Sequence, residues 1–123
     1  MIPYISVREI ILDTETTGLS FKDGDRIIEV GCVELFNYVP TGKNLQFYCS
    51  TEKKINTGAT NVHGLTNDFL KKYPTFEEQH QKFLDFIKSD TLIIHNVEFD
   101  IGFINNELKL IGCESLKNKT IDT

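Results

Sequence analysis

The run Ile10-Ile11-Leu12-Asp13-Thr14-Glu15-Thr16-Thr17-Gly18 sets an apolar strand directly against two carboxylates spaced two residues apart. A strand changes face at every residue, so Asp13 and Glu15 point the same way, with Cα atoms roughly 6.5 Å apart. Such a pair at a strand end offers hard oxygen ligands to Mg²⁺ or Mn²⁺. Thr16 and Thr17 add hydroxyls, and Gly18 supplies backbone free to take positive φ where a phosphate approaches. A chain built around this run needs a sheet whose strand ends carry the chemistry.

The remaining pattern supplies that sheet. Glu9 to Thr14 reads as a first strand and Arg26 to Phe36 as a second, antiparallel to it, with Asp23-Gly24-Asp25 turning between them. Pro40-Thr41-Gly42-Lys43 is a turn signal, and Leu45 to Ser50 alternates like a third strand. Ala59 to Gly64 forms a short helical turn ended by glycine, with a second short helix over Asp68 to Lys72. Thr75-Phe76-Glu77-Glu78 is a capping box, and Phe76, Phe83, Leu84 and Ile87 recur at helical spacing, which predicts a helix from Phe76 to about Lys88. Thr91 to His95 is a short apolar run expected to lie parallel to the first strand. Asn96 is placed to cap a helix whose apolar positions Ile101, Ile104, Leu108 and Ile111 continue until Gly112, and Thr120 to Thr123 begins another strand. The order β-β-β then α-β-α-β implies an α/β architecture, a mixed sheet with antiparallel strands one to three, a parallel strand four and the start of a parallel strand five. If strands one and four are neighbours, Asp100 arrives beside Asp13 and Glu15.

Residues 1–123 suit a single domain. A net charge of −5 excludes a protein that holds nucleic acid by a dominant basic surface, leaving Lys53-Lys54, Lys71-Lys72 and Lys117/Lys119 as local positive spots. Cys32, Cys49 and Cys113 show no zinc spacing and fit a reducing compartment, and no signal peptide or membrane span is visible, so a cytoplasmic location is expected.

Asp13-Thr14-Glu15-Thr16-Thr17-Gly18 together with His95-Asn96-x-x-Phe99-Asp100 resembles the DEDD superfamily of 3′→5′ exonucleases, on a ribonuclease-H-like fold. Ile27-Ile28-Glu29-Val30-Gly31 and Val62-His63-Gly64-Leu65 are similar to the epsilon-type proofreading subunits of bacterial DNA polymerase III within it. Family members carry a third motif, His-x-x-x-x-Asp, beyond the strand that opens at Thr120. Here His63, His80 and His95 are the three histidines, and only His95 has an aspartate five residues on, Asp100 itself. The expectation is therefore an exonuclease domain C-terminally truncated before its fourth carboxylate and its histidine base.

The resemblance implies two divalent ions, Mg²⁺ or Mn²⁺, about 4 Å apart across the terminal phosphate of a single-stranded DNA 3′ end. Asp13 would bridge them, Glu15 would hold the one on the nucleophile side and Asp100 would support the other. Thr16, Thr17 and Gly18 would line the path of the terminal nucleotide, Ala59 and His63 would contact its base or sugar, and Asn96 and Phe99 would flank the strand, with Phe99 stacking. His95 and Glu29 read as structural, and Glu98 stands where the family is small and apolar. Missing base and carboxylate would impair turnover, since general-base catalysis is worth about 10²–10⁴-fold. A missing last helix would uncover apolar sheet surface. The implied partners are the polymerase III catalytic subunit, whose binding tail would lie beyond this segment, or a second polypeptide completing the domain. Three alternatives remain beside this: an RNA-trimming member of the superfamily, a non-catalytic or split fragment, and an aspartate-nucleophile phosphohydrolase, against which Glu15 counts.

Overall fold

The computed structural model describes residues 7–123. The chain runs β1 (Arg8–Thr16), a 3₁₀ turn (Phe21–Asp23), β2 (Ile27–Phe36), β3 (Val39–Tyr48), α1 (Thr57–His63), α2 (Asn67–Leu70), α3 (Phe76–Ile87), β4 (Thr91–Ile94), α4 (Val97–Leu110) and β5 (Thr120–Asp122). The five strands form one sheet in the order β3-β2-β1-β4-β5. β1, β2 and β3 pair antiparallel, whereas β4 joins β1 and β5 joins β4 in parallel, as the pattern predicts. Strands β1 and β4 are thus neighbours, the condition for bringing Asp100 to the carboxylate pair.

Alternation divides β1 between two environments. Ile10, Leu12 and Thr14 are buried. The first two join Val30, Cys32, Leu92 and Ile94 in a core capped by Phe76, Phe83 and Ile87 of α3 and Phe103, Ile104 and Leu108 of α4. The odd residues Ile11, Asp13 and Glu15 take the opposite face, where Ile11 is 40% exposed. Ile121, also 40% exposed, belongs with it to neither apolar cluster. A smaller cluster of Ile28, Ile55 and Leu70 fastens α2 and the strand ends to the body.

Helix ends follow their local signals. Thr75 and Glu78 form the reciprocal capping box of α3, and Gly64 and Gly112 take left-handed backbone just after α1 and α4. A long-range tie went unread in the sequence. The buried Glu107 carboxylate of α4 accepts from Arg26 Nη2 at 2.6 Å, from Arg26 Nε, and from the Ile27 backbone N–H at 2.9 Å, pinning the helix to the start of β2.

Three local expectations are corrected. The β2–β3 turn lies at Asn37-Tyr38, both at positive φ, and Pro40 to Lys43 belongs to β3, which starts at Val39. A two-residue hairpin turn favours this left-handed pair, and β3 is an edge strand, where proline's missing donor is tolerated. β1 extends through Glu15 and Thr16, with a register shift against β2 between them. Asn96 stands at the N-cap position of α4 but is left-handed, and its side chain makes no capping bond.

Candidate functional site

The end of β1 presents two surfaces to two different tasks. On its buried side, Thr14 Oγ1 donates to Asp100 Oδ1 at 2.6 Å, so the first turn of α4 is latched to the strand. On the other side Asp13 is exposed and Glu15 half-buried, paired with Gly31 and Glu29 of the neighbouring β2. Gln46 of β3 donates to Glu29 at 2.9 Å and holds it in that row. A small hollow of about 80 Å³ is lined by Asp13, Thr14, Glu15, Glu29 and Gly31.

These carboxylates crowd one another. Burial, chiefly, and then the charge of Asp13 raise the Glu15 pKa, with Glu29 adding to the effect and His63 opposing it. Asp100 is pushed up to about 6, first by burial and further by Asp13 and Glu15, against the Thr14 hydrogen bond and His95. No ion pair among the described residues includes Asp13, Glu15, Glu29 or Asp100.

Beside Glu15 opens a larger cavity of about 410 Å³, bounded by Thr16, Gly18, Leu19, Asn56, Gly58, Ala59, Val62, His63 and Phe99. Leu19 and Val62 stand at its rim with 87% and 84% of their surface exposed. Phe99 is backed by Phe103, ring centroids 4.9 Å apart. His63 braces the wall. Its Nδ1 accepts the Leu65 backbone N–H at 3.0 Å, which leaves the proton on Nε2 to donate to the Thr16 carbonyl at 3.2 Å. Both nitrogens are thus committed to the protein, and the ring offers the cavity its carbon edge and face.

Two expectations about the turn after β1 change. Thr17 is turned inward: it is fully buried, its Oγ1 donating to Asp25 Oδ1 at 2.8 Å and accepting the Arg26 N–H at 3.0 Å. Gly18 does not take positive φ. It is required because a Cβ there would run into the Asp25 carboxylate, which also accepts from the Ser20 N–H. Asp25 is therefore the organiser of this turn.

Comparisons with known proteins supply the family. A family model described as "Exonuclease" matches residues 10–123. The chain belongs to the exonuclease family. It is 48% identical over 122 residues to the DNA polymerase III subunit epsilon of Rickettsia prowazekii (strain Madrid E), covering 96% of this chain and 53% of that protein. To the same-named subunit of Escherichia coli (strain K12) it is 40% identical over 117 residues, covering 92% and 48%. The chain spans about half the length of these curated relatives. Among solved structures, E. coli exonuclease I in complex with a dT13 oligonucleotide superposes with a TM-score of 0.83 at 16% identity, covering 94% of this chain and 28% of that one. Exonuclease X in complex with 5′ overhanging duplex DNA gives 0.71 at 19%, covering 93% and 58%. The fold is the ribonuclease-H-like one the sequence implied.

As an exonuclease-family domain, the chain gathers Thr16, Gly18, Ala59, His63 and Phe99 around one cavity, with Glu15 at its boundary. Asn96 is not part of that lining, and Thr17 is turned inward. Leu19, Val62 and Asn56 were missed by sequence reasoning. Apolar residues at a turn and on a short polar helix were the available signal for the first two. Among the described residues no group of three or more His, Cys, Asp or Glu side chains stands together in metal-ligand geometry. The donor chemistry nevertheless fits a hard divalent cation. Asp13, Glu15 and Asp100 are unneutralised oxygen donors, and the first two raise the pKa of the third.

Proposed function

We propose that this domain removes nucleotides from the 3′ end of single-stranded DNA by metal-assisted hydrolysis, in the service of proofreading. The observation that carries the reading is the latch between Thr14 and Asp100, which brings the two halves of the family motif to one strand end. Asp13, Glu15 and Asp100 are the residues that would hold two divalent ions, Mg²⁺ or Mn²⁺. Such ions would supply activation of water and neutralisation of charge at the scissile phosphate.

The chain's own residues do the rest. The cavity beside Glu15 is walled by Phe99, Leu19 and Val62, apolar groups that stack or wedge against a base whatever its identity. Thr16 and Gly18 line the same cavity, and His63 fixes the Thr16 backbone through its bond to the carbonyl. An end that has frayed from its duplex fits this arrangement, and sequence is not read. Relatives named as polymerase III subunits support the polymerase as partner.

The decisive assay is 5′-labelled single-stranded DNA incubated with the chain and Mn²⁺, together with Mn²⁺ binding by calorimetry. The expected product is a ladder shortened from the 3′ end. Asp13→Asn/Glu15→Gln removes both the ladder and the calorimetric binding. Cleavage that persists in that double variant, or that begins internally, would falsify the assignment.

A further inference from the structure

β4 ends at Ile94 and α4 begins at Val97, so the chain reverses within His95 and Asn96. Asn96 makes the reversal in left-handed backbone, at φ 63° and ψ 63°, a region that a residue bearing a Cβ enters at a cost. Its own side chain gives α4 no capping bond. The restraint comes instead from a strand 26 positions along the chain. Asp122 Oδ1 accepts the Asn96 backbone N–H at 3.1 Å, and Oδ2 accepts the Val97 N–H at 3.4 Å.

Asp122 is itself held in register. In β5 it lies against Ile94 of β4, and the next residue, Thr123, donates its N–H to the Ile94 carbonyl at 3.1 Å. The Thr123 carbonyl in turn accepts from His95 Nδ1 at 3.0 Å. Asp122 therefore does from a neighbouring strand what an N-cap side chain does locally, and its negative charge faces the positive end of a 14-residue helix. The turn it holds leads straight into the site. The first turn of α4 carries Phe99, whose N–H bonds the Asn96 carbonyl at 3.1 Å and whose ring lines the cavity. It also carries Asp100, latched to Thr14.

We infer that Asp122 is a positioning residue for the β1 carboxylate site, fixing the left-handed turn at Asn96 that sets Phe99 and Asp100 against Thr14. It reaches no reacting atom; it acts through the orientation of α4. The proposed function bears on this inference only through its consequence for a bound cation, and the two are separable by experiment.

The test uses amide hydrogen exchange by NMR in metal-free protein, followed by titration with Mn²⁺ alone to read paramagnetic broadening at Asp13 and Asp100. Asp122→Ala is expected to speed exchange at Asn96, Val97 and Phe99 about tenfold while α3 and Ile121 keep their protection. Broadening at Asp100 falls relative to Asp13 in the same variant. Asp122→Asn, which keeps one acceptor oxygen, lies between. Asn96→Gly added to Asp122→Ala restores the protection of Phe99 and the broadening at Asp100, because glycine takes the left-handed turn freely, while the amides at 96 and 97, whose acceptor is gone, stay fast. Unchanged exchange at Asn96 and Val97 in Asp122→Ala overturns the inference. So does a general loss of protection across β4 and β5, which would make Asp122 a sheet-edge residue and no more. If Mn²⁺ broadens neither amide in the unsubstituted protein, the cation reading falls, and the exchange result still decides the positioning.

Discussion

From Ile10 to Thr16 the even and odd residues of β1 share one strand and live under different rules. Ile10, Leu12 and Thr14 are enclosed by α3 and α4, whereas Ile11 is 40% exposed and Asp13 and Glu15 meet solvent and one another. The buried set specifies the fold and sets Asp100 in place through Thr14. The open set carries the charges and contributes little to packing. Stability and chemistry are thus assigned to alternate residues of a single segment, and each can be perturbed with limited damage to the other.

The largest effect should come from truncating the buried set. Leu12, 1% exposed, replaced by alanine is expected to lower unfolding free energy by about 3 kcal/mol in urea melts, against less than about 1 kcal/mol for Ile11→Ala. Equal losses would show that the open face is packed as tightly as the closed one, and the comparison would break.

Asp100 sharpens the same contrast from the helix side, because it is a charge placed among the buried set. Its carboxyl titrates at about 6 when folded against an ordinary 3.8, so the folded state binds the proton more readily than the unfolded one. That contribution is fully present below about pH 4 and is lost as pH rises through about 6. Asp100→Asn, which keeps an acceptor for Thr14, should therefore be the more stable protein at about pH 7 in EDTA. The gain is at most about 3 kcal/mol, vanishing in melts below about pH 4. A variant no more stable than the parent at neutral pH would mean that the Asp100 charge is solvated.

Glu107 is a buried charge of the opposite kind, fully paired. Glu107→Gln should cost about 2 kcal/mol in the same melts, since the Arg26 guanidinium and the Ile27 N–H lose a charged acceptor. A loss confined to a few tenths of a kcal/mol would show that the neutral amide serves α4 equally well. Smallest of all, Asp13→Asn/Glu15→Gln should leave the thermal midpoint unchanged or slightly raised, because it removes mutual repulsion from the open face. A clear drop would make those carboxylates structural.

How much of this was legible in the sequence depends on how far each interaction reaches. The alternation of β1, the capping box at Thr75 and Glu78 and the glycine stops at Gly64 and Gly112 act within a few residues, and the structure keeps them. The turn at Asn37-Tyr38 was local too, but Pro40 and Gly42 masked it, since their tolerance in β3 depends on that strand lying at the sheet edge. Thr17, expected to line the path of the terminal nucleotide, is instead buried against Asp25, which nothing in the local pattern connects to it.

By itself, then, the sequence determined the order of elements, the α/β class and the family. Only the tertiary structure decided which partners the buried and turn-holding carboxylates meet. Asp100 finds Thr14, Glu107 finds Arg26 and Asp122 finds the Asn96 turn across separations of 86, 81 and 26 positions. Propensity and periodicity are summed along the chain within a turn or a strand. These contacts exist only once the β1–β4–β5 register has brought distant backbone together, and no local preference encodes that register.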